Sequence, residues 1–343
     1  MVGDRGSPAF ARLAAQAADL ARVPEAHELR ALVEAASAVL DSEAPGLRPR
    51  DRSGRPGGLL LLPERPTVLV PDLHARAGLL AAVFAWKAPG QSRPLAELLA
   101  AGEASLVCLG DVFHSEAAGA RERWAIAYLE YVSGWATSAS MDEEMGLSLS
   151  AASIVLAAKA AFPASFHYLK GNHDNIADEE GRGDHPFYKF AAEGEMVASW
   201  FVRRYGAQLL AAYREFELGL PLLALGDRFV ASHGEPAFPL GREDAIECRS
   251  RPEIVEALIW TDNGEASEGS VAESMDALLG PEVARGARWF AGHRPVEGRY
   301  SLRAGGQFVQ FHDPRSWRVA YLLPGRDPDP KRDILYLPRT SGG

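Results

Sequence analysis
The sequence predicts a layered α/β (α+β) protein, on three observations. Five short runs rich in Val, Leu and Phe each stop at a polar cluster, and helical segments lie between them. The 343 residues, with 47% apolar, 24% charged and 9% aromatic side chains, suffice for a sizeable buried core. Buried strands that release a polar residue at their C-terminal ends are how layered α/β proteins build sites.

The elements follow in chain order. Residues 8–40 read as two helices, since Ala, Leu, Glu and Arg dominate and Leu13, Ala17, Leu20 and Val23 recur at helical spacing, with Pro24 opening the second. Residues 48–58 mix Pro, Gly and charge and read as a linker. Candidate strands then run over Thr67–Val70 before Asp72, 106–109 before Asp111, 166–169 before Asn172, 228–231 before His233 and 289–291 before His293. Two more, 307–312 and 318–323, close the series around a turn at Asp313-Pro314. Helices are expected at about 118–134, 147–161 and 186–216. The chain therefore divides into an N-terminal helical extension (1–48), a main domain (60–325) with a helical insertion at about 117–162, and a C-terminal tail (326–343).

Composition narrows the function. With 36 Lys+Arg against 46 Asp+Glu the formal net charge is 36 − 46 = −10, which disfavours electrostatic binding of nucleic acid or an anionic membrane. Cys108 and Cys248 are too few for a disulfide framework and lie in no zinc-ribbon spacing. The N-terminus lacks a basic-then-apolar signal pattern, and no run approaches about 20 apolar residues. A reducing, cytoplasmic location is expected, with neither a membrane nor a nucleic acid as partner.

The polar clusters carry the chemistry: Asp72-Leu73-His74, Gly110-Asp111, Gly171-Asn172-His173-Asp174, His233-Gly234 and Gly292-His293. These are carboxylate, imidazole and amide donors without a thiolate, a set that suits manganese, iron or zinc better than Cu(I). Asp-x-His at a strand end puts both side chains on one face, because the strand period is two. Gly110, Gly171 and Gly292 precede the candidate ligands, where a small residue permits close backbone approach.

In this order the clusters resemble the calcineurin-like metallophosphoesterases, and among them the phosphoprotein-phosphatase branch. Its GDxHG, GDxxDRG, GNHE, HGG and late-His pattern is echoed by PDLHAR (71–76), GDVFHSE (110–116), GNHD (171–174), SHGEP (232–236) and AGHRP (291–295). FELGLPLLALGDRFVASHGEP (216–236) and ALIWTDN (257–263) agree with two further segments of the branch. The resemblance spans about residues 67–323. It implies a two-sheet β-sandwich flanked by helices, with Asp72 and His74 on a first metal, Asp111 bridging, and Asn172, His233 and His293 on a second. Two divalent ions follow, manganese first, with iron or zinc as alternatives. Cations about 3.5–4 Å apart need a shared carboxylate, and a water between them becomes a nucleophile at neutral pH. His173 is similar to the family histidine that protonates the leaving oxygen; an ordinary pKa of about 6.5 suits that role.

The sequence departs from the branch where phosphate is gripped. GDxxDRG supplies an Asp that orients the catalytic His and an Arg that clamps phosphate; here those positions hold His114 and Ser115. A serine hydroxyl cannot imitate the bidentate guanidinium fork. Arg76 and Arg294 are the nearest replacements by sequence, His114 is a further candidate donor to phosphate, and Glu116 and Asp174 are the carboxylates left to orient His173. Relatives outside the branch use a GHxH pair, but Pro295 stands at its second histidine, leaving His312 as the spare histidine to watch. Of the others, His27 is expected on a helix surface and His167 packed in a strand.

Asp111 and Asn172 are 172 − 111 = 61 residues apart, and the excess reads as an inserted helical cover; the acidic run Asp142 to Glu144 within it reads as a solvated loop. The expected function is metal-dependent hydrolysis of a phosphoester, on a phosphorylated small molecule or a phosphoprotein. Within the hydrolases, a protein Ser/Thr phosphatase, a dinucleoside-polyphosphate hydrolase and a phosphodiesterase remain open. Outside them stands a metal-binding regulatory or scaffold protein whose catalysis has decayed.

Overall fold
The computed structural model describes residues 21–338 together with Phe10 and Ala14. Among them, eleven strands form two mixed sheets: β1 (Leu59–Leu61), β2 (Thr67–Val70), β3 (Ser105–Cys108), β4 (Phe166–Tyr168), β5 (Leu223–Leu225), β6 (Phe229–Ser232), β7 (Arg288–Ala291), β8 (Ser301–Arg303), β9 (Phe308–Gln310), β10 (Arg318–Leu322) and β11 (Ile334–Tyr336). One sheet has the order β11-β10-β2-β3-β4 and the other β1-β5-β6-β7-β9-β8.

Period-2 alternation explains the layering. Leu69, Val107, Ala231, Phe290, Val309 and Ala320 point between the sheets into one shared core. Their neighbours Val68, Val70, Leu106, Cys108, Val319 and Tyr321 point outward under one set of helices. Val230, Trp289, Ala291 and Phe308 do the same on the far side, under Pro252–Ile259 and Ser270–Leu279. A strand buried on both faces reads as a continuous apolar run, which is why the five motif strands were legible. The result is the expected two-sheet sandwich flanked by helices.

Several expectations shift. The first N-terminal helix falls largely outside the described residues, but the second is present as Ala26–Ser42. Its Leu29, Val33, Ala36 and Leu40 belong to the outer core of the five-stranded sheet, so this extension is a layer of the fold. Residues 48–58, read as a linker, form a packed turn around a fully buried Arg48. The segment read as a C-terminal tail ends the five-stranded sheet, since β11 pairs antiparallel with β10. The expected helix over 186–216 is two helices, Glu193–Tyr205 and Ala207–Leu218, broken at Gly206 with φ +85°.

The insertion comprises Ala120–Val132 and Ala139–Ala161. The second helix is long and apolar enough, by length and composition alone, to cross a membrane, against the expectation from the sequence. Here it is a core helix, with Leu149, Ile154 and Leu156 fully buried. The acidic run lies inside it: Asp142 accepts from Trp200 Nε1 at 2.7 Å, and the buried Glu144 pairs with Arg123. The run read as a loop is thus helical, opened by the Ser138 side chain accepting from Met141 N.

A buried ion cluster ties the N-terminal helix to the core. Glu43 pairs with Arg48 at 3.0 Å and with Lys159, and His167 Nδ1 lies 3.8 Å away. Burial pushes the Glu43 carboxyl up, but His167, Lys159 and Arg48 outweigh it and bring it to about 2. Because this lies below the ordinary 4.5, its stabilisation is complete above pH 4.5 and is lost as pH falls toward 2. Glu43→Gln strands two buried cations and is expected to cost about 3–5 kcal/mol in urea unfolding at pH 7; a change under about 1 kcal/mol would contradict this.

Candidate metal centre
Strand direction assembles the site. β2, β3 and β4 run parallel in one sheet and β6, β7 and β9 in the other, and their C-terminal ends release the polar clusters at one edge of the sandwich. Asp72 and His74 follow β2, Asp111 follows β3, Asn172 and His173 follow β4, His233 follows β6, His293 follows β7 and His312 follows β9. Non-glycine residues with left-handed backbone concentrate here: His74 (φ 38°), Asp111 (φ 55°), His114 (φ 70°) and His293 (φ 65°). Such strain gathers where the surroundings fix a functional geometry. The expected glycines have a specific reason: a Cβ at Gly171 would overlap Asp111 Oδ1, and one at Gly292 would overlap Asp72 Oδ1. They make room for the carboxylates.

The donor atoms form two sets. In one, His74 Nε2 lies 3.8 Å from Asp72 Oδ2 and 3.6 Å from Asp111 Oδ2. In the other, Asn172 Oδ1 lies 2.9 Å from His233 Nε2 and 3.1 Å from His293 Nδ1, with the two imidazole nitrogens 3.2 Å apart. Asp111 Oδ2 is 3.4 Å from His233 Nε2, so this carboxylate faces both sets. Backbone carbonyls aim two rings: His74 Nδ1 lies 3.0 Å from the carbonyl of His114, and His233 Nδ1 2.8 Å from that of Leu109. With Nδ1 donating, each Nε2 lone pair turns to the centre.

Electrostatics agree with a cation site. Burial raises the Asp111 carboxyl well above the usual range, and the charge of Asp72 adds to it. Burial pushes His74 down to about 3 against the pull of Glu116, and it holds His233 and His293 below the usual imidazole value. The lowered imidazoles favour the neutral form that divalent ions require, while the Asp111 anion is disfavoured unless a cation is beside it. Asp72 Oδ2 and His293 Nε2 are buried with no hydrogen-bond partner. Asp72, Asp111 and His233 form one triplet whose donor atoms all lie within 4.8 Å of one another, and Asp72, His74 and His312 form another. This oxygen and nitrogen donor set fits divalent first-row cations.

Around the six residues the expectations divide. His173 lies beside them, its ring centroid 5.2 Å from that of His74 and 4.8 Å from that of Phe187, and its Nδ1 has no partner. Neither proposed orienter serves it. Asp174 accepts from Gly171 N at 2.7 Å, Tyr168 Oη at 2.7 Å and Asp111 N at 3.1 Å, so it braces the ligand loops. Glu116 instead lies 3.5 Å from His74 Nε2 and 3.0 Å from His312 Nε2, and pairs with Lys189.

Of the phosphate-contact candidates both arginines are engaged elsewhere, while His114 keeps an unpartnered Nδ1. Arg76 spends its guanidinium on the carbonyls of Asp72, Leu73, Asp313 and Ser316. Arg294 forms a two-pronged pair with Asp262 at 2.9 and 2.7 Å. His114 is fully buried, stacked on Trp124 with Nε2 3.3 Å from Glu193. Sequence reasoning missed Glu193 altogether, and a lone Glu opening a helix 79 residues from its partner offers no local signal.

No family model matches the chain, and no curated protein matches it. A protein serine/threonine phosphatase from Saccharomyces cerevisiae with similarity to human phosphatase PP5 superposes with a TM-score of 0.56 over 92% of this chain and 90% of that one, at 15% identity. A mutant cold-active protein tyrosine phosphatase aligns over 82% of each chain at 14% identity, with a TM-score of 0.44. The first superposition shows that the chain has a phosphoprotein-phosphatase-like fold.

Proposed function
We propose that this chain is a metal-dependent phosphoesterase acting at a dinuclear centre. The position of Asp111 carries the reading: its Oδ2 lies within 3.6 Å of a donor in each of two convergent ligand sets. The fold supports the same reaction class, and the yeast neighbour's description makes a phosphoprotein one candidate substrate, beside a phosphorylated small molecule. The chemistry that divalent ions supply when bound in such a centre is Lewis acidity toward phosphoryl oxygens and a water that is nucleophilic at neutral pH.

The chain's own residues complete the assignment. Asp72, His74 and Asp111 would hold one ion, and Asp111, Asn172, His233 and His293 the other. His173, which burial and the neighbouring His114 and His74 hold well below the expected imidazole value of 6.5 in the metal-free chain, is assigned the proton given to the leaving oxygen. Gly171 and Gly292 let the carboxylates seat, and Asp174 fixes the loops that carry Asp111 and Asn172.

A second reading, a metal-binding scaffold without turnover, is favoured by one observation: both candidate arginine clamps are committed, Arg76 to carbonyls and Arg294 to Asp262. Purified protein supplied with Mn²⁺ and assayed side by side on monoester, diester and anhydride substrates separates the two. Chelator-sensitive turnover of any of them is the expected result. Bound metal with no turnover across the panel favours the scaffold.

A further inference from the structure
The first ligand set is short of donors, and the structure holds a candidate that the family motifs do not include. His312 follows β9, the strand paired with β7, and is fully buried. Its Nδ1 has no hydrogen-bond partner and lies 3.9 Å from Asp72 Oδ2, which is also buried and unpartnered. Two orphaned buried polar atoms facing each other at that distance carry a desolvation cost, and a single shared ligand removes it for both. The donor atoms of Asp72, His74 and His312 all lie within 4.8 Å of one another.

The far side of the ring is settled as well. His312 Nε2 lies 3.0 Å from Glu116 Oε2, and Lys189 holds the same carboxylate. A carboxylate on one ring nitrogen keeps the proton there and leaves the other nitrogen's lone pair free, as outer partners of metal-bound histidines do. Arg76 then acquires a purpose that a phosphate clamp would not explain. By donating to the carbonyls of Asp72, Leu73, Asp313 and Ser316, it staples the Asp72–His74 loop to the turn just after His312.

We propose that His312 Nδ1 is a further protein ligand of the first cation position, alongside Asp72, His74 and Asp111, with Glu116 as its outer partner and Arg76 as the staple that brings the two loops together. The inference rests on the dinuclear reading above.

Chelator-stripped protein titrated with Co²⁺, followed by visible absorption and calorimetry, tests it. The wild type is expected to bind two ions. His312→Ala and the bulkier His312→Gln are expected to weaken one site by about 100-fold while the other keeps its wild-type affinity, and Glu116→Gln to weaken the same site by about 10–100-fold. His312→Gln preserves bulk should the alanine variant fail to fold, and thermal unfolding in chelator reports folding. Two ions bound at wild-type affinity by both His312 variants would overturn the inference and leave the dinuclear reading standing. A wild type that binds no ion would overturn both.

Discussion

Asp111→Asn is expected to cut phosphoester turnover steeply and, in the same protein stripped of metal, to raise stability. Asparagine keeps the shape of the side chain, and its carbonyl oxygen can still accept the amide of His173, which lies 2.9 Å from Asp111 Oδ1. What disappears is the negative oxygen between His74 and His233, which faces both ligand sets at 3.6 and 3.4 Å. A loss on the order of 10³-fold in kcat, ~4 kcal/mol of barrier, is the expected size.

The stability change has the opposite sign for an electrostatic reason. Burial, with Asp72 beside it, raises the Asp111 carboxyl above its unfolded value, so the folded state binds the proton more tightly. Stability from this group is therefore greatest below the unfolded pKa of 3.8 and falls as pH rises through the folded value. Without metal, above that unfolded value, the buried carboxyl is disfavoured as an anion, a cost that asparagine does not carry. A higher unfolding midpoint in chelator together with lost activity supports the assignment; lower stability with activity retained contradicts it.

His173→Asn is expected to leave metal binding intact and to lower kcat by about 10²–10⁴-fold on substrates with strongly basic leaving groups. On an aryl phosphate whose phenol leaves readily without a proton, the loss should be much smaller. That leaving-group dependence separates proton donation from a packing role. Packing contacts with Phe187, His114 and His74 surround the ring, and a structural loss through them would fall equally on all substrates. Equal loss on aryl and alkyl substrates would remove the proton-transfer role.

Much of the centre was legible because strand burial and ligand chemistry leave local signals. Val68 to Val70 and Leu106 to Cys108 alternate between two cores, so each reads as an unbroken apolar run that stops where the ligands begin. β1, β5, β8 and β11 are three-residue strands with no ligand cluster at their C-terminal ends, so neither periodicity nor site chemistry marks them. Asp142 and Glu143 are exposed as expected, but the buried Glu144 read as solvated because its partner, Arg123, is distant in sequence. Glu116 was visible as a carboxylate near the second motif, but only the fold reveals that it reaches His74 and His312 and not His173. Arg76 shows the same limit: its charge was legible, while its four carbonyl partners come from two loops more than two hundred residues apart.

Anomalous diffraction at the manganese edge, on crystals grown with Mn²⁺, tests the dinuclear centre most directly. The expected result is two peaks about 3.5–4 Å apart, one against Asp72 and His74, the other against Asn172, His233 and His293, with the Asp111 carboxylate between them. A single peak, or none within reach of these side chains, would contradict it.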